Sequence, residues 1–186
     1  MKVLAINGSP RKGNTFLAIE KILEGAESMG AETEHLILKE KNIKDCTGCD
    51  ICFGTEKDCH IKDDMELEIV PKMKQADLWI LGSPNYFNIV SAHMKRWMDR
   101  TDPYCKPPIF KDKKVVTVSV GGWSDDSVSR LSRSFDDFLI CHGIKAVEKI
   151  KIKADKFREI KEMPEVLEMC FQKGKEISKM KIEIEN

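Results

Sequence analysis

Five short apolar runs alternate along the chain with segments in which apolar residues recur every three or four positions, and this alternation is what most constrains the fold. The runs are Met1–Asn7, Glu32–Leu38, Asp77–Gly82, Lys114–Val120 and Ile144–Ile152. Between them, Ile19, Ile22, Leu23, Ala26 and Met29 mark a helix over Thr15–Gly30, and Met65, Ile69 and Met73 a second over Asp63–Ala76 that Pro71 should kink or divide. Ser91–Arg100 reads as a third helix. Val128, Leu131, Phe135 and Phe138 mark a fourth, and Met163, Val166, Leu167, Cys170 and Ile177 a last one at about 160–181. Strands alternating with helices imply an α/β fold with a parallel sheet covered on both faces. At 186 residues the chain suits one such domain, 1–186, with no repeat or linker.

A parallel sheet tells where to look for chemistry. Ligands of such folds sit beyond the carboxyl ends of the strands, where strand order reverses. The loops after strands one to four are therefore expected to share one rim: GSPRKGNT (8–15), a cysteine-rich loop at 45–60, GSPNYFN (82–88) and GGWSDD (121–126).

The first loop combines turn-forming Gly8 and Gly13 with the hydroxyls of Ser9 and Thr15, the cations of Arg11 and Lys12, and a helix N-terminus just beyond. These suit a phosphate. Asn14 stands where a triphosphate loop needs lysine, and the dinucleotide fingerprint is absent, so a terminal phosphomonoester is the ligand expected; the alternative is a polar turn capping a helix. Tyr86, Phe87 and Trp123 place aromatics in polar loops, and Gly121 and Gly122 allow close backbone approach to a ligand. A flat heteroaromatic ring between these loops, its phosphate in the first, accounts for all three.

Lys+Arg and Asp+Glu both number 31, which argues against nucleic acid or an anionic membrane as partner. The N-terminus lacks a secretory pattern and no run is long enough to span a bilayer, so a cytoplasmic, reducing location is expected. Seven cysteines then call for another explanation than disulfides. Cys105, Cys141 and Cys170 read as scattered thiols, and His60 and His93 as histidines without a ligand role.

The sequence resembles the flavodoxin-like, FMN-binding reductases in GSPRKGNT, in SPNY after strand three and in SAHMKRWMDR (91–100). With CTGCDICFGTEKDC (46–59) and the downstream IKDDM (61–65), it is similar to the iron–sulfur flavoproteins of anaerobic archaea and bacteria. The resemblance spans residues 1 to about 150. It implies a flavodoxin-like three-layer sandwich with strand order 2-1-3-4-5. It further implies FMN held by Ser9, Arg11, Lys12, Gly13, Asn14 and Thr15 at the phosphate and ribityl chain. Pro84, Asn85, Tyr86 and Phe87 would border the ring, facing Gly121, Gly122 and Trp123. A homodimer or homotetramer is implied too, in which the cluster of one subunit can lie near the flavin of another.

Cys46, Cys49 and Cys52, at two-residue gaps, can wrap one face of a cubane, and Cys59 can close it if the chain turns back through Gly54. A [4Fe–4S] cluster is the leading expectation; unmetallated thiols, zinc or a regulatory disulfide are the alternatives. Cluster and flavin together would relay electrons from a low-potential donor such as ferredoxin to a small oxidant, with no protein side chain as acid or base. Two other readings stay open: a cluster-free NAD(P)H-dependent FMN or quinone reductase, and a non-catalytic flavin carrier or zinc-stapled binding module.

Overall fold

The computed structural model describes residues 1–52 and 59–180; the expected turn at Gly54 lies outside them. Strands β1 (Lys2–Asn7), β2 (Glu32–Ile37), β3 (Leu78–Pro84), β4 (Lys114–Gly121) and β5 (Ala146–Lys153) form one sheet in the order β2-β1-β3-β4-β5. Every neighbouring pair is parallel. Helices α1 (Asn14–Glu27), α2 (Val70–Gln75), α3 (Ala92–Asp99), α4 (Asp125–Cys141) and α5 (Pro164–Lys179) complete the flavodoxin-like architecture expected from the sequence.

The period of two along the strands divides the core into two layers. Val3 and Ala5 of β1 pack with Ile19 and Ile22 of α1 and with Cys170 and Ile177 of α5. Leu4 and Ile6 face the other way, against Met73, Met94, Trp97, Leu131 and Phe135 from α2, α3 and α4. Strands β1, β3 and β4 are buried almost throughout, while β2 and β5 are edges and alternate between buried and exposed positions. That is why the sequence EKIKIK could be a strand despite its charges: only one of its faces meets the core.

The segment 63–76 departs from the simple kinked helix expected. A π-helical turn, Met65–Ile69, runs directly into α2, and Pro71 sits in the first turn of α2 just after it. Ser91 caps α3 by accepting from the Met94 amide at 3.2 Å, and Ser124 caps α4 by accepting from Ser127 at 3.1 Å. Both caps set the direction in which a helix leaves the rim of the sheet.

Candidate functional site

Backbone hydrogen bonds stitch the strand ends into a rim. Gly8 donates to the carbonyl of Gly82 at 2.8 Å, Asn85 to Val120 at 2.7 Å and Ala154 to Gly121 at 3.0 Å. Ser91 adds a side-chain bond, its hydroxyl donating to the Gly8 carbonyl at 2.5 Å. A cleft opens on this rim, lined by Ser9, Arg11, Gly13, Asn14, Thr15, Pro84, Asn85, Tyr86, Gly121 and Gly122, together with Val120, Ala154, Asp155 and Phe157.

The chemistry of the cleft is that of an anion site joined to a flat slot. Helix α1 starts at Gly13 without a side-chain cap and with no acidic residue in its first turn, so its dipole and leading amides are open to a negative group. Ser9 is nearly buried and holds the loop shut on itself: its amide donates to Asn7 Oδ1 at 2.8 Å and its hydroxyl to the Arg11 carbonyl at 2.7 Å. On the other side, Asn85 donates through Nδ2 to Ser127 Oγ at 2.6 Å, while its Oδ1 is buried with no partner among the described residues. A buried acceptor left open in a cleft wall suits a ligand N–H. Gly121 and Gly122 are tightly backed; a Cβ on Gly122 would meet Asp155 at 2.3 to 2.5 Å.

Three of the residues expected here do not line the cleft. The Lys12 amine lies over the Phe16 ring, 5.5 Å from its centroid. Phe87 and Trp123 face solvent, 97% and 84% exposed. Phe87 and Asn88 both have positive φ, 54° and 70°, in a tight reversal closed by mutual hydrogen bonds between Tyr86 and Ile89. The left-handed backbone at the tip points Phe87 away from the fold.

A fifth loop, residues 154–158 after β5, takes part without having been singled out from the sequence. The Arg11 guanidinium lies over the Phe157 ring, 5.1 Å from the centroid. The Asn14 side chain is committed to this loop, donating to the Lys156 carbonyl at 2.8 Å and accepting from the Ile160 amide at 3.2 Å. The signal was available: β5 is parallel to the rest, so its carboxyl end reaches the same rim.

The four clustered cysteines line a second pocket, with His60, Ile61, Arg100, Asp102 and Pro103 among their neighbours. Cys46 and Cys49 are exposed, Cys52 is half-buried and Cys59 is buried; all are free thiols. Burial pushes the Cys52 thiol up, and the nearby Asp102 carboxylate adds to it. The Cys49 sulfur lies 3.5 Å from His60 Nδ1. Among the described residues no three such side chains already stand at metal-holding distances.

The sulfurs have a pocket of their own. The two pockets have no lining residue in common. After β2 the chain runs beside α3: Asp45 pairs with Arg96 at 2.5 Å and the Lys44 carbonyl accepts from Arg100 at 2.9 Å. Cys46 and Gly48 also line a third pocket with Ile89 and Val90 of the loop after β3. Cys105 and Cys170 lie outside the cluster, both thiols pushed up to about 11 chiefly by burial.

Fold and cleft together define a flavin-nucleotide reductase. The chain belongs to the NADPH-dependent FMN reductase family, whose sequence pattern matches residues 1–157. It is therefore an FMN-dependent oxidoreductase, a redox flavoprotein by class. It is 39% identical over 145 residues to an iron-sulfur flavoprotein of Methanocaldococcus jannaschii, covering 77% of this chain and 74% of that one. An iron-sulfur flavoprotein of Methanosarcina thermophila is 33% identical over 146 residues, covering 77% and 75%. Among solved structures, an NAD(P)H:quinone oxidoreductase from Methanothermobacter marburgensis superposes with a TM-score of 0.75 at 16% identity, covering 95% of this chain and 96% of that one. A flavone reductase superposes over the whole chain with a TM-score of 0.78 at 23% identity, this chain spanning 65% of it. No helix among the described residues is long and apolar enough to cross a membrane.

Proposed function

We propose that the chain acts as one flavodoxin-like unit that carries FMN in the rim cleft and a [4Fe–4S] cluster on Cys46, Cys49, Cys52 and Cys59, relaying electrons between them. The observation that carries this reading is the gathering of all four sulfurs around one pocket. Thiolates are soft donors that suit iron–sulfur clusters, and exposed Cys46 and Cys49 have room to converge on the two more buried sulfurs. The names of the relatives, iron-sulfur flavoproteins of archaea, point the same way.

The cleft fits FMN. Ser9, Arg11, Gly13, Asn14 and Thr15 would surround the phosphate and ribityl chain at the uncapped start of α1. Pro84, Asn85 and Tyr86 would border the ring opposite Gly121 and Gly122, with the open Asn85 Oδ1 accepting from a ring N–H. Phe87 and Trp123, exposed beside the cleft, would reach the ring edge or a neighbouring chain rather than line the pocket, and Lys12 would act on the phosphate only through its field. When bound, the flavin accepts one or two electrons and the cluster one, so the pair converts between the two modes.

Electrons would pass within or between the chains of a homodimer or homotetramer. The donor would be ferredoxin or a similar low-potential carrier and the acceptor a small oxidant. A second reading, a cluster-free NAD(P)H-dependent FMN or quinone reductase, is supported by the match to the NADPH-dependent FMN reductase family over residues 1–157. Anaerobic stopped-flow mixing separates the two: reduced ferredoxin bleaches the flavin under the first reading, and NADPH alone bleaches it under the second. Rapid bleaching by NADPH with no response to ferredoxin would reject the relay.

A further inference from the structure

The base of the cysteine segment holds a buried charge pair. Arg100 and Asp63 are each 1% exposed, and the guanidinium donates to Asp63 in a fork, Nη1 to Oδ2 at 2.7 Å and Nη2 to Oδ1 at 3.3 Å. The same guanidinium donates to the Lys44 carbonyl at 2.9 Å and the Ile61 carbonyl at 3.1 Å. Asp63 in turn accepts the Lys44 amide at 2.8 Å and the Met65 amide at 3.0 Å. Lys44 precedes Cys46 by two residues and Ile61 follows Cys59 by two, so one ion pair ties both ends of the segment that carries all four thiols.

Two further facts turn this clasp toward the sulfurs. Arg100 lines the cysteine pocket together with Cys59. Nε of Arg100 is buried with no acceptor among the described residues. A buried ion pair adds little net stability compared with apolar side chains of the same volume, whereas its planar fork imposes geometry that a lysine cannot reproduce. Hydrogen bonds from such a group to ligand sulfurs also raise a cluster's reduction potential.

We infer that Arg100 is the positioning residue of the cysteine site: it fixes the two necks of the segment relative to each other and donates a hydrogen bond to the Cys59 sulfur when that sulfur ligates iron. This rests on the cluster reading above. The test uses the full chain reconstituted anaerobically with iron and sulfide. Wild type and Arg100→Lys are compared in iron content, in the rate at which a ferrous chelator bleaches the cluster, and in the cluster's midpoint potential.

With far-UV circular dichroism unchanged, Arg100→Lys is expected to bleach about 10-fold faster or more, the usual scale for losing a group that orients a metal ligand. Its midpoint should shift to a more negative value, which a merely structural residue would not cause. A variant equal to wild type in both rate and midpoint overturns the inference alone. A wild-type chain that takes up no iron overturns the cluster reading and this inference with it. Should Arg100→Lys fold poorly, Asp63→Glu, which keeps both charges and displaces the fork, is scored in the same way.

Discussion

Arg100 and Asp63 meet in a two-point ion pair with almost no solvent contact, although 36 residues separate them in sequence and one lies at the end of α3. Burial alone would push the Asp63 carboxyl up; the Arg100 fork and the Lys44 and Met65 amides outweigh it and hold it below the usual carboxylate value. Removing the cation should therefore be expensive. Arg100→Met leaves a buried carboxylate unpaired and is expected to destabilise the apo-protein by about 3–5 kcal/mol in urea denaturation. Arg100→Met with Asp63→Leu should recover much of that loss, because the pair's value is geometric.

The closest helix crossing makes a second prediction. A Cβ on Gly174 of α5 would stand 2.0 Å from the Ile22 carbonyl of α1, and one on Gly25 would stand 2.0 Å from the Phe171 carbonyl. Each helix backbone occupies the space the other's side chain would need. Gly174→Ala, although alanine is the better helix former, should lower stability by about 1–3 kcal/mol, read from the urea midpoint. An unchanged or raised midpoint would show that the helices part freely.

Asn14 links the first loop to the fifth through both ends of its amide. Asn14→Ala removes two hydrogen bonds of about 1 kcal/mol each and loosens residues 154–158 beside the cleft. The FMN dissociation constant, followed by quenching of flavin fluorescence, is expected to rise about tenfold or more. Thermal stability of the apo-protein should fall as well, since both bonds are made without the flavin.

His142 supplies a pH dependence. It is buried beside Phe138 and Phe110, with Nε2 3.0 Å from Thr101 Oγ1 and 3.4 Å from the Cys105 sulfur. Burial lowers its pKa from 6.5, and Asp102 and the Tyr104 backbone only partly oppose this. The unfolded chain thus gains a proton near pH 6.5 that the folded chain resists. The stability His142 contributes is complete above that pH and is lost as pH falls toward its folded pKa. The drop in urea midpoint between pH 7.5 and pH 5.5 should be smaller in His142→Gln than in wild type. It does not vanish, since His35 and His93 are shifted in the same direction.

Much of this molecule is readable from local pattern. The apolar runs of β1, β3 and β4 declare strands buried on both faces, and Ser91 and Ser124 sit where helix caps belong. The glycines and hydroxyls of residues 8–15 mark an anion loop because their chemistry is local. What escaped depends on tertiary placement. Nothing in the residues after β2 says that the chain runs beside α3 and gathers the cysteines around a pocket of their own. Nor does Arg100 advertise Asp63, since their partnership exists only once the end of α3 meets Lys44, Ile61 and Asp63. Phe87 reads as a ring-binding aromatic until the positive φ at Phe87 and Asn88 turns it outward. The loop at 154–158 was legible by extending the rule of parallel strand ends to β5.

The composition of the cofactors themselves decides the central claim. Protein purified without oxygen should contain, per FMN, about four iron and about four acid-labile sulfide. Its spectrum should show a broad absorption band overlying the flavin that dithionite bleaches and Cys49→Ser abolishes. A yellow protein with one FMN and no iron or sulfide, in wild type and Cys49→Ser alike, would contradict it.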